Sequence, residues 1–127
     1  MDKLAEYLST IARFDWAKFN CCHYAAGWLV ANGEPDPMRG LPATPTLRSA
    51  RRLAKELGGI VRAVSDLLGR EAIAATLAQV GDIVHFELER GFTLGICNGM
   101  QSICIDHQGG TSFIPTTQGS CAWRLKP

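Results

Sequence analysis

Residues 21–31, CCHYAAGWLVA, are apolar on nearly every side. If the segment is helical, Cys21, Cys22, Tyr24, Ala25, Ala26, Trp28, Leu29 and Val30 leave no stripe polar enough to face water. Its ends say that it is helical. Asn20 is a good N-cap, because its side-chain oxygen accepts backbone N–H groups that the first turn leaves unpaired. Asn32-Gly33 closes the segment, since both residues tolerate positive φ. A helix that is apolar all round has to lie inside, so the rest of the chain must be arranged around it.

The surroundings divide in two. Residues 2–13 read as a helix, with Leu4, Tyr7, Leu8 and Ile11 at spacings of three and four. Asp15 to Asn20 is a connector that contains Trp16. GEPDPMRGLPATPT, residues 33–46, carries four prolines in fourteen residues and is irregular. Thr46 caps a helix over about 47–57 that stops at Gly58-Gly59, and IVRAVSDLLG is either a short helix or an extended piece that turns helical. From Gly81 the texture changes. DIVHFEL, FTLGICN, QSICIDH and TSFIPT are short β-like runs broken by Arg90-Gly91, Asn98-Gly99 and Gly109-Gly110, and CAWRLK makes a last strand. The pattern is α+β: N-terminal helices, then an antiparallel meander on which the helix from Cys21 packs. Residues 1–127 form one domain with one modest core, without internal repeats.

Composition removes several function classes. A net charge of +1 gives no general attraction to nucleic acid or anionic lipid. The basic cluster RSARRLAK, Arg48 to Lys55, reads as the solvated face of a helix. No apolar run approaches the ~18 residues of a membrane span. MDKLAEYLST lacks the long apolar core of a secretory signal, so synthesis and folding are expected in a cytosol, with any exit by another route. The cysteines at 21, 22, 97, 104 and 121 are odd in number and include no CxxC pair. Neither a metal site, nor a disulfide scaffold, nor any other cofactor is expected.

Four blocks of the chain, read together, resemble a known pattern. WAKFNCCHYAAGWL, residues 16–29, is similar to the Trp-Gly-x-x-Asp-Cys-x-x-Phe block that opens the central helix of NlpC-type papain-like cysteine peptidases. It resembles more closely a small related domain encoded in phage tail gene clusters. GDIVHFE, residues 81–87, resembles the start of that family's first core strand. TLGICNG, residues 93–99, resembles its second strand, usually His-Val-Gly-Ile-x-x-Gly, and AWRL, residues 122–125, also occurs in the phage-type branch. The resemblance spans residues 14–125 and implies an NlpC-like fold.

By this match Cys21 holds the nucleophile position, directly after Asn20 in the place of the family's aspartate. Physical chemistry agrees: a thiol in the first turn of a helix meets unpaired N–H groups and the positive end of the dipole, which favour the reactive thiolate. Without the resemblance, both cysteines read as small core residues. Cys22 lies about 100° around the helix and reads as packing. The family's base histidine belongs where this chain has Thr93, and a threonine takes no proton from a thiol near neutral pH. Three histidines are candidates to compensate. His23 lies about 200° from Cys21 on the helix and points away. His85 falls across from Thr93 if the first hairpin is centred near Glu89, with cross-strand Cβ atoms about 5 Å apart. A slip of one residue changes its face. His107 stands near the polar residue that orients the base in the family, or is simply a hairpin-end histidine beside Asp106 and Gly109. Cys97 and Cys104 read as small sheet-core residues. Trp16, Trp28 and Trp123 supply core area, and Trp16 could also line a groove beside Cys21.

Two functions follow from the resemblance. One is a thiol hydrolase that cuts an amide of bacterial peptidoglycan at a phage tail tip. Cys21 would attack, and His85, or else His107, would assist. The other keeps the fold without the chemistry, as a tail-tip component that binds neighbouring tail proteins or the wall. Both imply a virion location after assembly in the host cytoplasm.

Overall fold

A computed structural model of the chain describes residues 2–11, 13–15, 18–89, 91–106, 108 and 110–126. Helix α1 (Lys3–Thr10) starts on Asp2, whose side chain accepts the Leu4 N–H at 3.1 Å. It stops short of the expected 2–13 because Ile11 turns to extended backbone. Helix α2 (Cys21–Ala31) has the expected bounds. Asn20 Oδ1 accepts the N–H groups of Cys22 and His23, and His23 Nδ1 accepts the Asn20 N–H at 3.2 Å, which closes a capping box. Helix α3 (Leu47–Glu56) is capped by Thr46 as expected. The ambiguous run that follows is helical, α4 (Ile60–Leu68). Gly58 and Gly59 join α3 to α4 at φ of 91° and 98°, a conformation that side chains rarely adopt.

The second half forms one antiparallel sheet: β1 (Ile83–Leu88), β2 (Gly91–Cys97), β3 (Gln101–Ile105), β4 (Thr111–Pro115) and β5 (Cys121–Trp123). Its order is β4-β3-β2-β1-β5, so the meander expectation holds for four strands only. β5 crosses back and pairs with β1 through Ile83↔Trp123 and Val84↔Ala122. A Cβ on Gly119 would sit 2.5 Å from Val84 Cγ1, so this close crossing needs a glycine. The expected register of the first hairpin is corrected. Leu88 pairs with Gly91, which centres the hairpin half a residue beyond Glu89. His85 therefore stands opposite Leu94, and Thr93 stands opposite Phe86.

Helix α2 lies on one face of the sheet. Tyr24, Ala25, Trp28 and Leu29 pack against Ile83, Leu94, Ile96, Ile103 and Trp123, with Leu4 of α1 against the same core. Each large apolar side chain buried there contributes about 1.5–3 kcal/mol. The polar ends of the aromatic side chains of α2 are paired: the Tyr24 hydroxyl donates to the Ile103 carbonyl at 2.8 Å, and the indole N–H of Trp28 to the Gly81 carbonyl at 2.8 Å. Trp123 donates to Ser65 Oγ at 3.0 Å. Trp28 and Trp123 thus take the core role expected of them, whereas Trp16 lies outside the described residues. The opposite face of the sheet carries a smaller cluster of Val84, Phe86, Cys97, Cys104 and Ala122. Just beyond α2, the buried Glu34 carboxylate pairs with the Arg70 guanidinium and accepts the Lys126 N–H at 3.0 Å, which ties the C-terminal segment to the helix end. Among the described residues, no helix is long and apolar enough to cross a membrane.

Candidate functional site

The β2–β3 ladder runs only through Ile96↔Ile103 and Cys97↔Ser102, while β3 stays paired to β4 as far as Ile105↔Thr111. The start of α2 meets β2 where that ladder stops. There the Leu94 N–H and the Thr93 hydroxyl face the Cys21 sulfur. Cys21 is therefore buried, at 8% exposure, inside a shell of hydrogen-bond donors.

The largest influence on that sulfur is the neighbouring thiol of Cys22, which hydrogen-bonds to it and favours its thiolate. Burial opposes ionisation. The Leu94 N–H, the Thr93 hydroxyl and the N–H of Cys21 itself favour it, and the balance draws the Cys21 thiol below the ordinary range. Cys22 moves the other way. Its bond to Cys21, its burial and the charge of Cys21 all hold it protonated. The assignment within the pair follows from position, since only Cys21 has the helix-start amide and the β2 donors beside it. Cys104 is pushed up to about 12, by burial first and then by the charge of Cys21. Gly95 makes room for it, because a Cβ there would lie 2.7 Å from Cys104 Sγ.

Cys21 and Cys22 both line a partly open cavity of about 100 Å³. Its walls are almost wholly apolar and come from α2, α3, α4, the proline-rich segment and the start of β2. Thr44, from the proline-rich segment, is held at its edge by a 3.2 Å hydrogen bond from Asn20 Nδ2. Cys22 packs against the core as expected, and it also lines the same cavity as Cys21.

Neither described imidazole lines this cavity. His23 is occupied by the capping box, consistent with its pointing away from Cys21. His85 shares the sheet face of Ile83 and Leu94 but lines a separate, more open cleft with Gly59, Arg62, Glu87 and Phe92. Its Nδ1 is hydrogen-bonded to Ser120 Oγ, its ring stacks on Phe92 with centroids 5.9 Å apart, and its Nε2 is buried without a hydrogen-bond partner. Burial lowers its pKa, against a smaller upward pull from Glu87. His107 lies outside the described residues. Cys97 and Cys104 are buried in the sheet as expected. No group of three or more metal-ligating side chains comes together among the described residues. Sequence reasoning missed Thr44 and Ser120, which reach Asn20 and His85 across 24 and 35 residues. No local pattern announces either contact.

A family model described as a domain of unknown function (DUF6950) matches residues 1–125. No curated protein matches the chain. No solved structure matches it.

Proposed function

The chain belongs to the DUF6950 family, and we propose, on its resemblance to NlpC-type peptidases, an NlpC-like, papain-like domain that serves as a component of a phage tail tip, its thiol position kept and its wall-cutting chemistry lost. The environment of the Cys21 sulfur carries this reading. Amide cleavage by a thiol needs a group that takes a proton and returns it to the leaving amine. Among the described residues, the groups that act on Cys21 are the Cys22 thiol, the Leu94 N–H, the Thr93 hydroxyl and its own N–H, and no imidazole lines the cavity beside it. Thr93 beside the sulfur fits the place that the resemblance gives to the base. The order of elements also fits, with a thiol opening a buried helix, GDIVHFE entering β1 and TLGICNG forming the body of β2. Support for the tail setting comes from the resemblance to the phage-type branch and its AWRL ending. In that setting the partners are neighbouring tail-tip proteins, and the location is the virion after assembly in the host cytoplasm.

A second reading keeps the hydrolase, and the favoured thiolate of Cys21 supports it. Its base would be His85, turned away from Ser120, or His107. Peptidoglycan separates the two. On the first reading the purified chain releases no new amino groups from isolated walls. Virions of the phage that encodes it contain the chain, and deletion of its gene leaves tails incomplete. Wall cleavage that disappears in Cys21→Ala would overturn the loss of chemistry. Absence from virions, together with normal tails after deletion, would overturn the tail role.

A further inference from the structure

A role in tail assembly leaves the cavity beside the two thiols without a use. We propose that it is an acyl site: Cys21 accepts a short aliphatic acyl group from a thioester, and the cavity holds the alkyl part. This shares with the proposed function only the donor-lined surroundings of Cys21 and does not depend on the tail setting.

Three observations point the same way. First, Cys21 and Cys22 line a cavity walled by side chains such as Ala26, Leu29, Leu53 and Leu94, so the space next to the nucleophile is suited to hydrocarbon. Second, the cavity is partly open, and its walls include the exposed Leu57 and Leu67, so a ligand can enter it from the surface. Third, α3 has an apolar side, yet none of its residues is buried. Leu47, Ala50, Leu53 and Ala54 face the cavity, and a ligand there would complete their burial.

The chemistry of the shell then selects the leaving group. Expulsion of an amine requires a proton donor that has first acted as a base. Expulsion of a thiolate does not, since that leaving group is stable near neutral pH. The Cys21 thiolate attacks the thioester carbonyl, and a new C–S bond forms. The charge moves to the carbonyl oxygen, within reach of the amides of Cys21 and Leu94 that had faced the sulfur. The old C–S bond breaks, the donor thiolate leaves and takes its proton from water, and an acyl-Cys21 thioester remains. No oxidant or reductant is needed. A cavity of about 100 Å³ is smaller than the ~150 Å³ apolar cavity that takes up benzene, so the acyl group has about three to five carbons.

The test uses the full chain and the butyryl thioester of N-acetylcysteamine. Intact-mass spectrometry should show the gain of one butyryl group, with one equivalent of N-acetylcysteamine released, and peptide mapping should place it on Cys21. Cys21→Ala should abolish the adduct. Ala26→Phe fills the cavity and should slow acylation by the butyryl thioester about tenfold or more, and slow it more than labelling of Cys21 by the smaller iodoacetamide. Leu53→Phe, on the separate helix α3, should do the same if Ala26→Phe does not fold. A palmitoyl thioester should react more slowly than the butyryl one. Butyryl groups spread over several cysteines, acylation indifferent to both filling variants, or a Cys21 that takes iodoacetamide but never butyryl would each overturn the proposal. Wall cleavage is measured separately, so loss of one reading does not decide the other.

Discussion

Helices α2 and α3 are nearly equal in length and meet at the same cavity, but they are built on opposite plans. Six of the eleven residues of α2 are buried, and Tyr24 and Trp28 are fastened by hydrogen bonds, to β3 and to the turn before β1, as well as by packing. None of the ten residues of α3 is buried. Its outer face carries the exposed Arg48, Arg51, Arg52 and Lys55, and its inner face borders a void. The two plans correspond to two roles. The chain folds around α2, and α3 is laid over the result as a cover whose apolar side is only partly used.

The largest effect is expected where α2 is most deeply fastened. Trp28 is 3% exposed, packs against Tyr7 and donates to the Gly81 carbonyl. Trp28→Ala leaves a large void and an unpaired buried carbonyl. It should cost about 3–5 kcal/mol in urea unfolding, enough to unfold much of the population of a marginally stable domain. A loss below about 1 kcal/mol would deny α2 its central place.

Next comes the end of α2. Burial raises the pKa of Glu34, but the Arg70 hydrogen bond, the Lys126 N–H and both positive charges outweigh it, and the carboxyl is held below its usual range. A folded-state pKa below the unfolded one adds stability that is fully present above the unfolded value and is lost as pH falls through the folded value. The loss should therefore begin below about pH 4.3. Glu34→Gln should cost about 1–2 kcal/mol at neutral pH by leaving the partly buried Arg70 guanidinium without its carboxylate, and it should flatten stability against pH in the acid range. An unchanged acid slope in the variant would assign the pH dependence to other carboxylates.

Much of this contrast was legible in the sequence. The all-round apolar run predicted a buried α2, and Asn20 and Thr46 marked helix starts that the structure places at the same residues. The β-like runs fell on the strands because each is bounded by glycine turns. What stayed hidden depends on half-residue or tertiary detail. The hairpin centre moved by half a residue, and this alone parted His85 from Thr93. The return of β5 to the β1 edge has no local signal. Cys21 was legible as a thiol at a helix start. The cavity that it shares with Cys22 depends on side-chain reach that wheel angles do not carry. The cavity arises only when α3, α4 and the proline-rich segment close over α2.

The smallest effect should come from the cover. Leu53 sits on the inner face of α3, half-buried and bordering the cavity. A side chain that already faces a void has fewer partner atoms to lose, so Leu53→Ala should cost about 1 kcal/mol or less, well below the 2–5 kcal/mol of a leucine in a filled core. The same weakness should appear without mutation, as amide hydrogens of α3 that exchange with solvent sooner than those of α2. Exchange at equal rates in the two helices, or a Leu53→Ala loss that rivals Trp28→Ala, would mean that α3 is bound into the same cooperative core and does not act as a cover. An apolar ligand in the cavity sharpens the point. It supplies the missing contacts, so it should slow exchange in α3 while leaving α2 almost unchanged.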